Sequence, residues 1–167
     1  MSIFPTRILL ATDGSEEAEL AALRAVDIAE KTDSELHVVH VGVVPRFLES
    51  YPGVLGYERR QYEQIEEESW QRLRELSWRV KVAGGTVAGA HLRMGKVDLE
   101  IVGLAKELGV GLIVMGCRGH RGIRRAIEGS ISNGVIRHAP CPVLVVRLHE
   151  ERANAPKRRR LIPLSGR

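Results

Sequence analysis

The stretch RILLATDGSEEAELAALRAVDIAEK, residues 7–31, joins two different periodicities across a short polar turn. Arg7 to Thr12 form a short apolar run that is typical of a buried strand. Ser15 to Lys31 instead repeat apolar residues at helical spacing, with Ser15 as the predicted N-cap and acidic residues in the first turn, where the helix dipole favours them. The stretch therefore predicts a strand-to-helix unit joined at Asp13 and Gly14.

The same alternation continues along the chain. An irregular stretch rich in proline and glycine follows Pro45, and elsewhere apolar runs alternate with helical patterns. Such alternation predicts parallel strands joined by right-handed crossovers, with helices covering both faces. The fold class predicted is α/β, a single doubly wound five-stranded parallel sheet. The further strands are predicted at Glu35–Val44, Thr86–Arg93, Val110–Met115 and Pro142–Leu148, and the further helices at Tyr57–Val82, Val97–Leu108 and Ser130–His138.

Composition predicts one soluble domain, residues 1–148, followed by a basic tail, residues 149–167. Apolar residues make up 44% of the 167-residue chain and charged residues 28%, and no apolar run approaches the roughly 20 residues of a membrane span. The N-terminus lacks a secretory signal, so we expect a cytoplasmic protein. The Lys157–Arg160 cluster could contact nucleic acid, but we interpret the tail as disordered and solvated.

The segment GCRGHRGIRRAIEGS, residues 116–130, combines four glycines with four arginines. Glycines let backbone N–H groups approach a ligand, and a helix N-terminus supplies unpaired N–H donors and a dipole that favours anions. Gly129 precedes a predicted helix in which Ser130 and Ser132 add hydroxyl donors, so the segment predicts a phosphate site. Neither the Walker A spacing nor the G-x-G-x-x-G fingerprint of dinucleotide-binding folds fits it.

The position of this segment in the fold favours the same interpretation. Ligands of open α/β sheets bind beyond the carboxyl ends of the strands, where the strand order reverses. If the first and fourth strands are neighbours, the turn at Asp13 and the segment 116–130 meet in that crevice.

Three separated motifs, in this order along the chain, carry a resemblance to a known family. They are ILLATDGS near the N-terminus, G-x2-G-x9-G-[ST] after the strand LIVMG, and HAPCPVLVV near the end. Over Thr6 to Arg147 the chain resembles the universal stress protein family, specifically its ATP-binding branch. The resemblance implies a Rossmann-like sheet of strand order 3-2-1-4-5, similar to the adenine nucleotide alpha hydrolases, with two helices on each face.

The resemblance also implies a role for each matching position. Asp13 is similar to the family's aspartate on the adenosine side of the nucleotide, and Val41 to the residue whose backbone reads the adenine edge. His120 is either a phosphate neighbour or an exposed loop histidine. The full nucleotide-binding set predicted is Thr12, Asp13, Val41, Met115, Gly116, Arg118, Gly119, His120, Gly122, Gly129, Ser130, Ile131 and Ser132.

Three functions are compatible with these residues. The first is binding of ATP as a regulatory ligand in a stress response, with Mg²⁺ or Mn²⁺ held mainly by the phosphates and hydrolysis slow or absent. The alternatives are a slow metal-dependent ATPase and a nucleotide-free dimeric interaction module. No catalytic base and no set of metal ligands is identified, and His37, His40 and His91 are interpreted as packing or surface residues. A homodimer is predicted through the fifth strand, Val143 to Leu148, because sheet edges need covering.

Overall fold

The computed structural model describes residues 6–45, 57–116 and 130–147. The five strands are all parallel and form one sheet in the order β3-β2-β1-β4-β5, which confirms the predicted class and strand order. In chain order the elements are β1 (Arg7–Thr12), α1 (Glu16–Thr32), β2 (Glu35–Gly42), α2 (Tyr57–Val82), β3 (Val87–Met94), α3 (Val97–Leu108), β4 (Leu112–Gly116), α4 (Ser130–His138) and β5 (Val143–Val146).

The central strand β1 pairs with β2 on one side and with β4 on the other. Every residue from Ile8 to Thr12 is buried, as expected of a strand that is covered on both faces. Successive side chains of a strand point to opposite faces, so Leu9 and Leu10 enter two different cores.

Each face of the sheet has its own apolar core. α1 and α2 cover one face, where Leu10 and Val38 pack against Ala25 and Leu76, and α3 and α4 cover the other, where Leu9 packs in one cluster with Leu104 and Val135. The prediction of helices on both faces is thus confirmed. The largest fully buried side chains are Ile8, Leu9, Leu10, Leu36, Leu73, Ile101, Leu104, Ile113, Val38, Val39, Val80 and Val114.

The start of β4 differs from its prediction for a local reason. Gly109 adopts a left-handed conformation with φ +60°, and the N–H of Val110 donates to the carbonyl of Ala105 at 3.1 Å. This closes the last turn of α3 in the manner of a Schellman motif, in which an apolar residue after the glycine is common. Val110 therefore belongs to the helix cap, and β4 begins at Leu112.

Three other strands also have limits that differ from the predicted ones. β2 ends at Gly42, the last of its residues to pair with β3, rather than at Val44, and β3 is shifted by one residue. β5 spans Val143–Val146 where Pro142–Leu148 was predicted, and Leu148 lies outside the described residues. Apolar runs alone do not show where a neighbouring strand stops, so strand ends are the least predictable limits.

α2 is the longest helix that the structure describes, with 26 residues. Leu73, Leu76 and Val80 are its buried stripe, while charged residues occupy most of the remaining surface. In the described ranges, no helix combines the length and the apolarity that a membrane span would need.

Candidate functional site

The crevice at the carboxyl edge of the sheet lies between β1 and β4. These strands are neighbours, with Ala11 opposite Met115. The chain leaves β1 through α1 toward β2 and leaves β4 through α4 toward β5, so the strand order reverses here. This is the position at which ligands bind in open α/β sheets, and the turn after β1 opens onto it.

The turn after β1 is fixed by its own side chains. An oxygen of Asp13 accepts a hydrogen bond from the backbone N–H of Ser15 at 3.0 Å, and the hydroxyl of Thr12 accepts one from the N–H of Gly14 at 3.3 Å. Gly14 has φ +80°, a conformation that glycine adopts without steric cost. The Ser15 hydroxyl then caps α1 by accepting from the N–H of Ala18 at 3.2 Å. One Asp13 oxygen thus has a structural role in the turn.

His40, at the end of β2, supports the same turn from the neighbouring strand. Its ring is buried, and Nδ1 lies 3.0 Å from the carbonyl oxygen of Thr12. A carbonyl only accepts, so Nδ1 carries the proton. Burial lowers the pKa of His40, the Thr12 carbonyl raises it, the cationic Arg72 lowers it and Asp13 raises it, with a net decrease. The prediction that His40 is a packing or surface residue is confirmed as packing, and the structure adds its hydrogen bond to Thr12.

Val41 and Met115 turn their side chains into the core rather than into the crevice. Both are buried in the apolar cluster beneath α3, together with Ala11. Any contact of these two residues with a ligand would therefore use the backbone, which is the kind of contact that the resemblance implies for Val41.

Gly116 ends β4 against the first turn of α1. A Cβ built there would lie 3.0 Å from the Cβ of Glu17 and 3.1 Å from the backbone N of Ala18. These distances are shorter than ordinary van der Waals contact, so a side chain would fit at this position only if the start of α1 moved by a few tenths of an ångström, whether or not a ligand is bound.

Glu17 is a further residue that sequence reasoning missed. It is only 6% exposed although it lies in the first turn of α1, where the positive end of the helix dipole favours a carboxylate. Its spacing of four residues from Ala21 and eight from Ala25 places it on the buried stripe of the helix. From that spacing, the burial of Glu17 and the exposure of Glu16 and Glu19 could have been predicted.

α4 begins at the same edge of the sheet, because it leads from the carboxyl end of β4 back to the start of the parallel strand β5. Its first turn begins at Ser130, contains no acidic residue, and leaves Ser130 exposed and Ser132 buried. Ile131 is partly exposed. The backbone N–H groups of such a first turn have no partner within their own helix, and the helix dipole makes them favourable for an anion.

Five predicted site residues lie outside the described residues: Arg118, Gly119, His120, Gly122 and Gly129. Their roles stay predictions. The structure brings together Thr12, Asp13, Val41, Met115 and Gly116 at the ends of the three central strands, while Ser130 and Ser132 open the helix that connects β4 to β5. Within the described ranges, no group of three or more His, Cys, Asp or Glu side chains could hold a metal ion.

Comparisons with known proteins cover the whole sheet. A model of the universal stress protein family matches residues 5–147. A curated relative from Staphylococcus haemolyticus (strain JCSC1435), named as a universal stress protein, is 39% identical over 144 residues, which are 86% of this chain and 85% of that protein. The match to the family model spans every described strand and helix.

Solved structures have the same fold. A hypothetical protein whose structure was used to assign its biochemical function has a TM-score of 0.71 at 28% identity, over 85% of this chain and 95% of that one. The universal stress protein from Archaeoglobus fulgidus, in complex with dAMP, has a TM-score of 0.58 at 23% identity, over 87% and 99%.

Replacing Gly116 with alanine should destabilise the fold. The added methyl group would lie 3.1 Å from the backbone of α1, which cannot rotate away as a side chain can. We expect the free energy of unfolding in urea to fall by about 1–3 kcal/mol. Gly103→Ala is the matched control, because nothing lies within 4 Å of that position inside α3, and it should gain up to about 1 kcal/mol. Equal effects of the two substitutions would contradict the packing role.

His40 should make the fold less stable in mild acid. Its folded-state pKa is lowered, so its contribution to stability is complete above the unfolded value of about 6.5 and is lost as the pH falls through the folded pKa. Between pH 7.5 and 5.5, urea unfolding of the natural protein should lose more free energy than that of His40→Gln, which cannot titrate. If the free energy of unfolding changed equally with pH in the two proteins, His40 would have the same pKa in the folded and unfolded states, which would contradict the prediction.

Proposed function

The chain belongs to the universal stress protein family, and on this premise we propose that it binds ATP as a regulatory ligand in a stress response. The nucleotide lies at the carboxyl edge of β1 and β4, and its hydrolysis is slow or absent. The observation that carries this proposal is the pairing of β1 with β4, which brings the Asp13 turn and the end of β4 to one edge of the sheet, and the helix that follows β4 begins at that edge.

The residues of the crevice suit the two ends of a nucleotide. Asp13 and the backbone of Val41 would contact the adenosine part, since both lie at the ends of neighbouring strands. The phosphates would lie at the first turn of α4, where backbone N–H groups and the hydroxyls of Ser130 and Ser132 are suitable donors. A Mg²⁺ or Mn²⁺ ion would be held mainly by the phosphates, whose charge it would partly neutralise.

Adenine nucleotides as a class are supported by the fold that the chain shares with the Archaeoglobus fulgidus protein, which holds dAMP. Ligands of open α/β sheets bind beyond the carboxyl ends of the strands, and the ends of β1 and β4 lie side by side in this chain. The shared fold therefore supports the place of the ligand, and the ligand itself is tested by titration.

A regulatory rather than catalytic role follows from the chemistry of the described residues. Hydrolysis of a γ-phosphoryl group needs an oriented water and a group that stabilises the developing charge. One oxygen of Asp13 is engaged by the N–H of Ser15, and Glu17 is buried against the end of β4. Both carboxylates thus have structural surroundings that favour holding the turn over activating a water.

Calorimetric titration with ATP, ADP and AMP in the presence of Mg²⁺ tests the proposal. We expect micromolar affinity for ATP, weakened about tenfold or more in Asp13→Asn, a loss of about 1.4 kcal/mol. Asparagine can still accept the hydrogen bond from Ser15, so this variant removes charge while it keeps the turn. Asp27→Asn, on the exposed side of α1, is the control and should bind as the natural protein does.

The outcomes separate the three candidate functions. Release of inorganic phosphate above background that disappears in Asp13→Asn would favour the ATPase. The absence of binding heat with all three nucleotides would favour the nucleotide-free module. Stronger binding of AMP than of ATP would support the proposed site but identify AMP as its ligand.

We further propose that the protein forms a homodimer through β5. This strand is one edge of the sheet, and its four residues, Val143–Val146, are all apolar and only partly buried. An apolar edge strand without charges or proline tends to pair with another strand, and a second copy would cover it.

Light scattering at micromolar concentration should give a mass of about twice 18.5 kDa. Val145→Lys places a charge in this edge and should give the monomer. Ala88→Lys places the same charge on the exposed opposite edge and should leave the dimer intact. A monomeric natural protein, or loss of the dimer in Ala88→Lys alone, would contradict the β5 interface.

A further inference from the structure

The chain contains two tryptophans, and α2 exposes both. Trp70 is 39% exposed and Trp78 is 67% exposed. Tryptophan has the largest apolar surface of any side chain, so covering an exposed tryptophan contributes considerable hydrophobic free energy to binding. Two such residues on one helix indicate a surface that another molecule covers.

These side chains line a groove between α2 and the edge strand β3. The groove has a volume of about 270 Å³, its floor includes the buried Leu73, and Ala90 of β3 contributes to its wall. It shares no residue with the nucleotide crevice. α2 packs on β2 and β3, so the tryptophans lie where a further strand would run beside β3.

The edge of β3 has little protection against pairing. Its sequence, VAGAHLRM, has no proline, and its one residue charged at neutral pH, Arg93, is ion-paired with Glu107 of α3. Natural edge strands usually avoid pairing through lysines, prolines or bulges, and here only an irregularity near Ala88 interrupts the ladder. From Ala90 to Met94 the strand pairs regularly with β2, and within the described ranges no strand pairs with its other edge.

We propose that an extended segment of a partner protein, with alternating acidic and apolar residues, adds to β3 as a sixth strand. Its apolar side chains pack against Trp70 and Trp78, and its backbone pairs with the edge of β3. Such strand addition gives affinity through main-chain hydrogen bonds and specificity through the side chains of one face.

The positive charge of the groove favours an acidic partner. Arg74 and Lys81 line the groove, and no acidic residue does. Residues 69–82 carry four cationic residues and one acid, whereas residues 57–68 carry two cationic residues and five acids. Arg74 contacts Glu67 at 3.0 Å, but both side chains are more than 60% exposed, and such surface pairs exchange readily for another carboxylate.

The same charges disfavour two other occupants. The tail of this chain would bring the cationic cluster Lys157–Arg160 next to Arg74 and Lys81. A second copy that paired through β3 would bring the same groove cations toward each other. Like charges in close contact are unfavourable, so a partner of opposite charge fits best.

Tryptophan emission reports directly on this groove, because both tryptophans line it. The probe is a synthetic eight-residue peptide of alternating glutamate and valine, and a peptide with lysine in place of glutamate is its control. We expect the glutamate peptide alone to shift the emission to shorter wavelength in a saturable manner, with a Kd of about 10–100 µM. An alternately N-methylated form of the same peptide, which cannot pair as a strand, should not bind.

Protein variants then locate the contact. The double substitution Arg74→Glu and Lys81→Glu should weaken binding at least tenfold, while Arg59→Glu with Arg60→Glu, on the acidic half of α2, should leave it unchanged. Circular dichroism melts of both variants establish that the fold is retained. In Trp78→Ala the remaining Trp70 still reports, and the affinity should fall.

Four results would overturn the proposal. They are the absence of a saturable shift up to millimolar peptide, equal binding of the lysine peptide, and equal binding of the N-methylated peptide. The fourth is a shift without any peptide, either on concentrating the protein or on replacing Lys157–Arg160 with alanines. A shift on concentration would assign the groove to a second copy, and a shift in the alanine variant would assign it to the tail.

Discussion

Burial of β1 on both faces is the constraint from which the rest of the structure follows. Leu9 and Leu10, adjacent in sequence, belong to opposite cores, and each core is completed by a different pair of helices. The strand lies in the middle of the sheet, with β2 and β4 at its sides, so it is covered along both edges as well as on both faces. That central position brings its carboxyl end beside the end of β4, and the crevice results from this.

Most of the fold could be predicted from the sequence, because the two periodicities are clear and the turns between them are marked. The exceptions have local causes. Val110 looks like the first residue of a strand, but the left-handed Gly109 before it makes it the end of a helix cap. The end of β2 depends on how far β3 continues beside it, which is information that β2 itself does not contain.

The site was predictable in part. Motif spacing led to Asp13 and to the start of α4, because glycines and helix N-termini have recognisable sequence patterns. Glu17 was missed, and the contact of His40 with the turn was not predicted, since both depend on burial next to a particular backbone segment. Gly116 was predicted for ligand contact, and the structure adds that a side chain there would press against the backbone of α1. The crevice thus has two kinds of residue, those that can face a ligand and those that hold the backbone in place.

The uneven charge of α2 has a consequence for the approach of anions to the sheet. Since α2 follows β2, its acidic first half begins at the carboxyl edge and its basic second half ends at the opposite edge. Within a Debye length of about 8 Å at physiological salt, a polyanion that diffuses toward the carboxyl edge is repelled over β2 and β3. It is guided instead toward the side of α4, whose first turn has no acidic residue. If a nucleotide binds in the crevice as proposed, the long helix favours one direction of its entry without contacting it.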